Sequence, residues 1–198
     1  MIIEICAIGN IIFNNNDITN LPTHKISKLG LCRTLQVKSI FNNLTVKENL
    51  YIALQSNKGI FKLNNSLSCE NEIQDEMIRI SELLNLNNKL NLIAGSLSHG
   101  DISVIEIAIA LCLKPNFLLL DEPICGMGPY ETEQTIKIIR NLSKTIDILI
   151  IEHDMDAVFS LAKDIVVMSQ GTVIANGTPE QISKDEKVIS TYLGEEDE

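Results

Sequence analysis

Basic residues are scarce in this chain of 198 residues. The 16 lysines and arginines are outnumbered by 26 aspartates and glutamates, which gives a formal net charge of −10. A surface that binds nucleic acid is normally basic, so nucleic acid is not an expected partner. The five cysteines, at positions 6, 32, 69, 112 and 125, are scattered and form no C-x-x-C pair. An odd, dispersed set is typical of reduced thiols inside the cell, not of a disulfide framework or a zinc site.

Long apolar runs are also missing. The most apolar helical stretch, "VIEIAIALCL" at 104–113, is short and contains Glu106, so no membrane span is predicted. The N-terminus has no basic segment and carries Glu4, which argues against a secretory signal. Any role at a membrane is therefore expected to depend on a partner.

The pattern of apolar residues predicts a helical block followed by an α/β block. "TVKE" at 45–48 is a capping box that should open a helix, and residues 71–86 place apolar side chains on one helical face. A further helix should begin near Gly100 and stop before Pro115. Beyond it, apolar runs alternate with helical segments, which favours a parallel sheet covered by helices.

Two of the predicted strands end in side chains that carry chemistry. "FLLLDEP" runs into Asp121 and Glu122, and "DILIIEHD" leads to His153. In open parallel sheets ligands gather at the carboxyl ends of the strands, so these groups would share one edge. Taken singly, the acids could be a polar strand exit and the histidine an ordinary loop residue.

A third element, "LSHGD" at 97–101, stands where a helix should begin. Free N–H groups and the positive end of the dipole suit a phosphate there, and Gly100 would allow close approach to the backbone. Ser98 would add a hydroxyl donor. The alternative is a plain N-cap serine.

The order of these motifs resembles the ATP-binding-cassette (ABC) family over roughly residues 9 to 194. "LSHGD", "FLLLDEP", "GMGP" and "IEHD" are similar to the signature motif, Walker B, D-loop and H-loop, and "RTLQ" to the Q-loop. "IEHDMDAVFSLA", "GTVIANGTPEQI" and "TYLGE" resemble the ATPase subunits of branched-chain amino acid importers. The candidate site residues that follow are Ser98, His99 and Gly100 (signature), Asp121 and Glu122 (Walker B), Gly126, Met127 and Gly128 (D-loop), His153 (H-loop) and Gln36 (Q-loop).

The resemblance also implies a role for each residue. Asp121 would bind Mg²⁺ through water, Glu122 would polarise the attacking water, and His153 would contact the γ-phosphate of ATP. Gln36 would touch Mg²⁺ or water and couple the site to a membrane subunit. Such roles agree with phosphoryl transfer, which depends mainly on positioning and charge neutralisation.

One essential motif is missing. The phosphate cradle has the form G-x-x-x-x-G-K-[ST], and none of the ten glycines is followed by lysine. The chain thus has a Walker B and no Walker A, which suggests an N-terminally shortened member. Ile124 also replaces a usual threonine, and Asp101 a usual glutamine or glutamate.

The expected fold is therefore α/β, an incomplete P-loop NTPase-like ABC nucleotide-binding domain with a parallel sheet core and an inserted helical subdomain. Residues 1–198 would form one partial domain. Within it, 1–44 would be a remnant of the N-terminal core with the Q-loop, and 45–115 the helical subdomain with the signature motif. Residues 116–198 would be the α/β core with Walker B, D-loop, H-loop and C-terminal helix.

The expected function is an ATPase subunit of an importer for branched-chain or related amino acids, using ATP and Mg²⁺. Its partners would be a second ATPase subunit, integral membrane permease subunits and, indirectly, a periplasmic binding protein. It would lie peripherally at the cytoplasmic face of the inner membrane. Two alternatives stay open: a non-catalytic subunit or degraded fragment that only lends its signature motif to another chain, and an ATPase of the lipopolysaccharide-export kind. Alone, the chain is expected to be inactive and poorly stable.

Overall fold

The computed structural model describes residues 9–34, 40–58 and 67–193. The chain forms two compact units, Met1–Ile151 and Glu152–Glu198. The strands are β1 (Ile12–Phe13), β2 (Asn16–Asp17), β3 (Leu31–Arg33), β4 (Phe117–Asp121), β5 (Asp147–Ile151), β6 (Ile165–Ser169) and β7 (Thr172–Gly177). The helices are α1 (Thr23–Lys28), α2 (Val46–Lys58), α3 (Leu67–Leu83), α4 (His99–Leu111), α5 (Pro129–Leu142), α6 (Met155–Leu161), α7 (Pro179–Ile182) and α8 (Glu186–Val188), with 3-10 turns at Asn87–Lys89 and Ala94–Ser96 and a π-turn at Ile189–Leu193.

The first unit is built on a three-stranded parallel sheet in the order β3-β4-β5. The predicted parallel pairing of β4 and β5 is confirmed, with Phe117 opposite Asp147 and Asp121 opposite Ile151. Side chains alternate between the two faces of a strand. Leu118 and Leu120 are accordingly buried on one face of β4.

The opposite face of this sheet is more open. Leu149 is 50% exposed and Ile151 is 54% exposed on β5. Leu119 of β4 lies on the same face, opposite Leu149, and is partly buried. Parallel strands are normally covered on both faces, whereas no described segment buries Leu149 or Ile151 on this face.

The predicted helical block is confirmed as α2, α3 and α4, which pack against one another. Helix α2 begins at the expected capping box: the Thr45 backbone N–H donates to Glu48 Oε2 at 2.7 Å, and the Glu48 N–H donates to Thr45 Oγ1 at 3.2 Å. The fully buried side chains of this block come from all three helices and include Leu50, Met77, Ile80 and Ile105. Helix α4 ends at Leu111, four residues before Pro115.

The second unit has its own small core. Strands β6 and β7 form an antiparallel pair that turns at Gln170 and Gly171, both with positive φ. The buried residues Ile165, Val167, Ile182 and Val188 form its core cluster. Across the described residues of both units, no helix has the length and apolarity needed to cross a bilayer.

Candidate functional site

The carboxylate pair stands at the exit of β4. Asp121 is the last residue of the strand. Glu122 follows with φ of +48°, a left-handed conformation that is uncommon for a residue other than glycine. Its backbone N–H donates to the carbonyl oxygen of Ile151, the last residue of β5, at 2.9 Å. This bond extends the parallel ladder by one step and fixes where the chain turns away from the sheet.

Asp121 is paired with an arginine that sequence reasoning did not single out. Arg33 Nη2 lies 2.8 Å from Asp121 Oδ2. The Asp121 side chain is 9% exposed, whereas that of Arg33 is 56% exposed. Arg33 is the last residue of β3 and is part of the "RTLQ" segment that had drawn attention only to Gln36.

The "LSHGD" segment lies where it was predicted. Ser98 is the N-cap of α4, and its Oγ accepts a hydrogen bond from the Asp101 N–H at 3.2 Å. Gly100 is buried in the first turn, and Ser98 and His99 are exposed. The plain N-cap reading of Ser98 is therefore confirmed as a structural role, and it leaves the hydroxyl hydrogen available to another acceptor.

Two charged contacts surround this helix start. Glu131 of α5 packs on Gly100, where an added Cβ would lie 3.0 Å from the Glu131 carboxyl carbon. Hydrogen bonds from the Ser98 side chain, and then from the Gly128 backbone, hold the pKa of Glu131 below its usual value. The Asp101 carboxylate forms an ion pair with Lys89. The start of α4 is thus tied to the segment of the predicted D-loop.

The residues of the predicted D-loop form a turn between β4 and α5. Gly126 has φ of +74°, which favours glycine, and Gly128 is the N-cap of α5. The Gly128 N–H donates to Glu131 Oε2 at 3.3 Å. Met127 accepts a hydrogen bond at its sulfur from Thr135 Oγ1, 3.4 Å away. The turn is therefore anchored to the first two turns of α5.

The structure does not place two predicted site residues, His153 and Gln36, beside Asp121 and Glu122. His153 lies two residues beyond the end of β5, in the second unit, with its side chain 70% exposed. Its expected proximity to Asp121 and Glu122 stays a prediction. Gln36 falls within 35–39, outside the described residues.

The Asp121 carboxylate is only partly available to a magnesium ion. One oxygen of Asp121 is engaged by the Arg33 guanidinium. Within residues 9–34, 40–58 and 67–193, no three His, Cys, Asp or Glu side chains gather as a metal site. Mg²⁺ is usually held by one or two carboxylates together with substrate phosphates. The described residues therefore do not form a magnesium site by themselves.

Comparison with known proteins identifies the family to which this arrangement belongs. The ABC transporter family model matches residues 3–125, and a model of the branched-chain amino acid ATP-binding cassette transporter matches residues 172–198. The fold is that of ABC ATPase domains: the ADP conformation of MJ1267, an ATP-binding cassette of an ABC transporter, superimposes with a TM-score of 0.79 at 30% identity, covering 96% of this chain and 78% of that one. The chain belongs to the ABC transporter family and is an ABC-type ATPase by this resemblance.

Relatives in several organisms share most of the chain. The high-affinity branched-chain amino acid transport ATP-binding protein BraF of Pseudomonas aeruginosa is 38% identical over 195 residues, covering 94% of this chain and 76% of BraF. The probable branched-chain amino acid transport ATP-binding protein LivG of Archaeoglobus fulgidus is 37% identical, covering 96% and 75%. The lipopolysaccharide export system ATP-binding protein LptB of Haemophilus influenzae is 34% identical, covering 95% and 75%.

Proposed function

We propose that the chain serves as an ATP-binding subunit of an importer for branched-chain or related amino acids. The names of BraF and LivG support this choice, and so does the family model matched at residues 172–198. LptB shares nearly as much identity, but the match at 172–198 is to the branched-chain group. The import role is therefore favoured over lipopolysaccharide export.

Within that assembly, this chain would contribute its signature motif as a phosphate-binding element. The supporting observation is the start of α4, where Ser98 caps a helix of 13 residues and Gly100 lies in its first turn. A helix start of this kind attracts anions through its N–H groups and its dipole. The sequence itself contains no G-x-x-x-x-G-K-[ST] cradle.

In ABC proteins two domains pack head to tail, and each ATP lies between the Walker motifs of one domain and the signature of the other. We place Ser98, His99 and Gly100 against the γ-phosphate of an ATP bound by a partner subunit. Gly126, Met127 and Gly128 would lie at the same interface. One competent site per pair would then remain, and it would be built on the partner's cradle.

The family roles of the other residues depend on phosphates being held nearby. Glu122 would orient water and His153 would contact a γ-phosphate only where a cradle positions ATP beside them. Gln36 would couple that site to a permease. The further partners in this proposal are integral membrane permease subunits and, indirectly, a periplasmic binding protein. The complex would use ATP with Mg²⁺ at the cytoplasmic face of the inner membrane.

A co-expressed pair of this chain and an intact ATP-binding subunit tests the proposal. We expect Ser98→Arg to lower the ATPase rate of the purified pair by about 100-fold, the scale of losing one preorganised donor at a reacting phosphate. Ser143→Arg is the matched control, because Ser143 is an exposed serine at the far end of α5. An unchanged rate in the Ser98 variant, with the partner's Walker lysine still essential, would show that this signature takes no part.

A further inference from the structure

Asp121 occupies the position at which the family binds magnesium, yet its carboxylate already has a cation. The 2.8 Å contact with Arg33 Nη2 is a charge-assisted hydrogen bond of ordinary length. With only 9% of its side chain exposed, Asp121 has little solvent to stabilise its charge. A carboxylate in such a place requires a partner, and Arg33 supplies one.

The strand register explains why the two side chains meet. Arg33 lies opposite Leu119 across the β3–β4 pair, and Asp121 is two residues further along β4. Side chains two positions apart share a face of the sheet, so Arg33 needs to reach only one diagonal step to the carboxylate. The contact follows from backbone pairing and does not depend on a ligand.

β3 is a short strand, and the ion pair lies at its end. The paired region of β3 and β4 covers only Leu31 to Arg33. Beyond it, the Thr34 N–H donates to the Leu119 carbonyl at 2.9 Å, and the Asp121 N–H donates to Thr34 Oγ1 at a longer 3.4 Å. The ion pair adds a side-chain link across the two strand ends, immediately before residues 35–39.

We infer that Asp121 in this chain is the structural counter-ion of Arg33 and joins the ends of β3 and β4, and does not act as a magnesium ligand. The inference rests on the proposed function, in which the chain's own Walker B pair is not part of a working site. The guanidinium bound to Asp121 Oδ2 would repel a divalent cation at the same carboxylate. The structural role needs neither nucleotide nor metal.

Whether Asp121→Asn raises or lowers the stability of the chain distinguishes a metal-binding role of Asp121 from a structural one. Neutralising a carboxylate kept for metal binding leaves a metal-free protein equally or more stable, because such sites carry unfavourable charge. Neutralising a structural counter-ion removes a partly buried ion pair and leaves the Arg33 guanidinium without its carboxylate. We therefore expect Asp121→Asn to lower the thermal midpoint of the full chain by about 2–6 °C. Arg33→Gln should act in the same direction, and the double variant should lose less than the sum of the two.

Asp147→Asn is the matched control, since Asp147 is an exposed aspartate at the start of β5 in the same sheet, and it should leave the midpoint unchanged. Millimolar MgCl₂ is the metal probe, and it should not raise the midpoint of the parent chain through Asp121. A midpoint of Asp121→Asn at or above that of the parent would overturn the inference. So would a MgCl₂ stabilisation that disappears in this variant.

A second measurement applies where the melt is not cooperative. Cys32 on β3 is 4% exposed, so its alkylation rate, followed by mass spectrometry, reports opening of that strand. We expect Asp121→Asn and Arg33→Gln to speed Cys32 labelling several-fold, and Asp147→Asn to leave it unchanged. Equal labelling in all four proteins contradicts the structural role. None of these readouts uses the pair's ATPase rate, so the donated-signature proposal and this inference can fail separately.

Discussion

Replacing Asn49 with aspartate should destabilise the first unit strongly, although the two side chains have nearly the same shape. Asn49 is 2% exposed and fastens the segment after residue 40 to the start of α2. Its Oδ1 accepts from the Phe41 N–H at 2.8 Å, and its Nδ2 donates to the carbonyls of Phe41 at 3.1 Å and Thr45 at 2.9 Å. This is the described segment that follows the predicted Q-loop residue Gln36.

An aspartate would keep the bond from the Phe41 N–H and lose both donors. Two carbonyl oxygens would then face a buried carboxylate instead of an amide. Each lost or repulsive buried contact costs about 1–3 kcal/mol, so we expect a total of about 3–5 kcal/mol. For a chain of this length that corresponds to a fall of about 10 °C in the thermal midpoint.

Urea unfolding followed by circular dichroism measures the effect for Asn49→Asp and for Asn43→Asp. Asn43 is exposed in the same segment, so its replacement should change the free energy of unfolding by less than about 0.5 kcal/mol. A similarly small change for Asn49→Asp would refute the reasoning. It would mean that this network does not hold the segment in solution.

Three further outcomes follow from the described residues. Burial raises the pKa of Cys112 to about 12, so iodoacetamide at pH 8 should label exposed Cys125 rapidly and leave Cys112 unmodified in the native chain. Peptide mass spectrometry measures the two labelling rates, and comparable rates would contradict the burial of Cys112. Leu149→Thr should increase the soluble fraction on expression at little cost in stability, while Leu118→Thr in the buried face should unfold the chain. Equal soluble fractions of the two variants would show that the open face is covered in solution. Thr45→Ala should cost about 1 kcal/mol of unfolding free energy by urea titration, through loss of the capping box of α2, and no change would mean that this cap is frayed.

The sequence was most informative where one short segment decides its own structure. The apolar run before Asp121 predicted the end of β4, and "TVKE" predicted the start of α2, because a buried strand and a capping box each depend on neighbours in the chain. The segment "TPEQ" at 178–181 has the same capping signature, and α7 begins there, where the Thr178 N–H donates to Gln181 Oε1 at 2.9 Å. Periodicity and capping chemistry are visible without knowledge of the tertiary fold.

The contacts that modify the site could not be found in this way. Arg33 meets Asp121, 88 positions away, only because of the β3–β4 register. Glu131 meets Gly100 only because α5 starts beside α4. The one available signal was position: a charged residue at the end of a strand that pairs with the predicted Walker B strand is a candidate partner for its carboxylate. Neither residue type nor spacing along the chain gives that information.

The two readings of Ser98 turn out to be compatible, and the reason is chemical. A hydroxyl has two acceptor lone pairs and one donor hydrogen. The N-cap role uses a lone pair, through the bond from the Asp101 N–H. The donor hydrogen is directed in this structure to Glu131, whose pKa it lowers. A phosphate oxygen at the start of α4 would need the same hydrogen, so a partner-bound ATP and Glu131 would compete for one donor. The capping geometry fixes the hydroxyl in place, and the proposed signature role would depend on which acceptor receives its hydrogen bond.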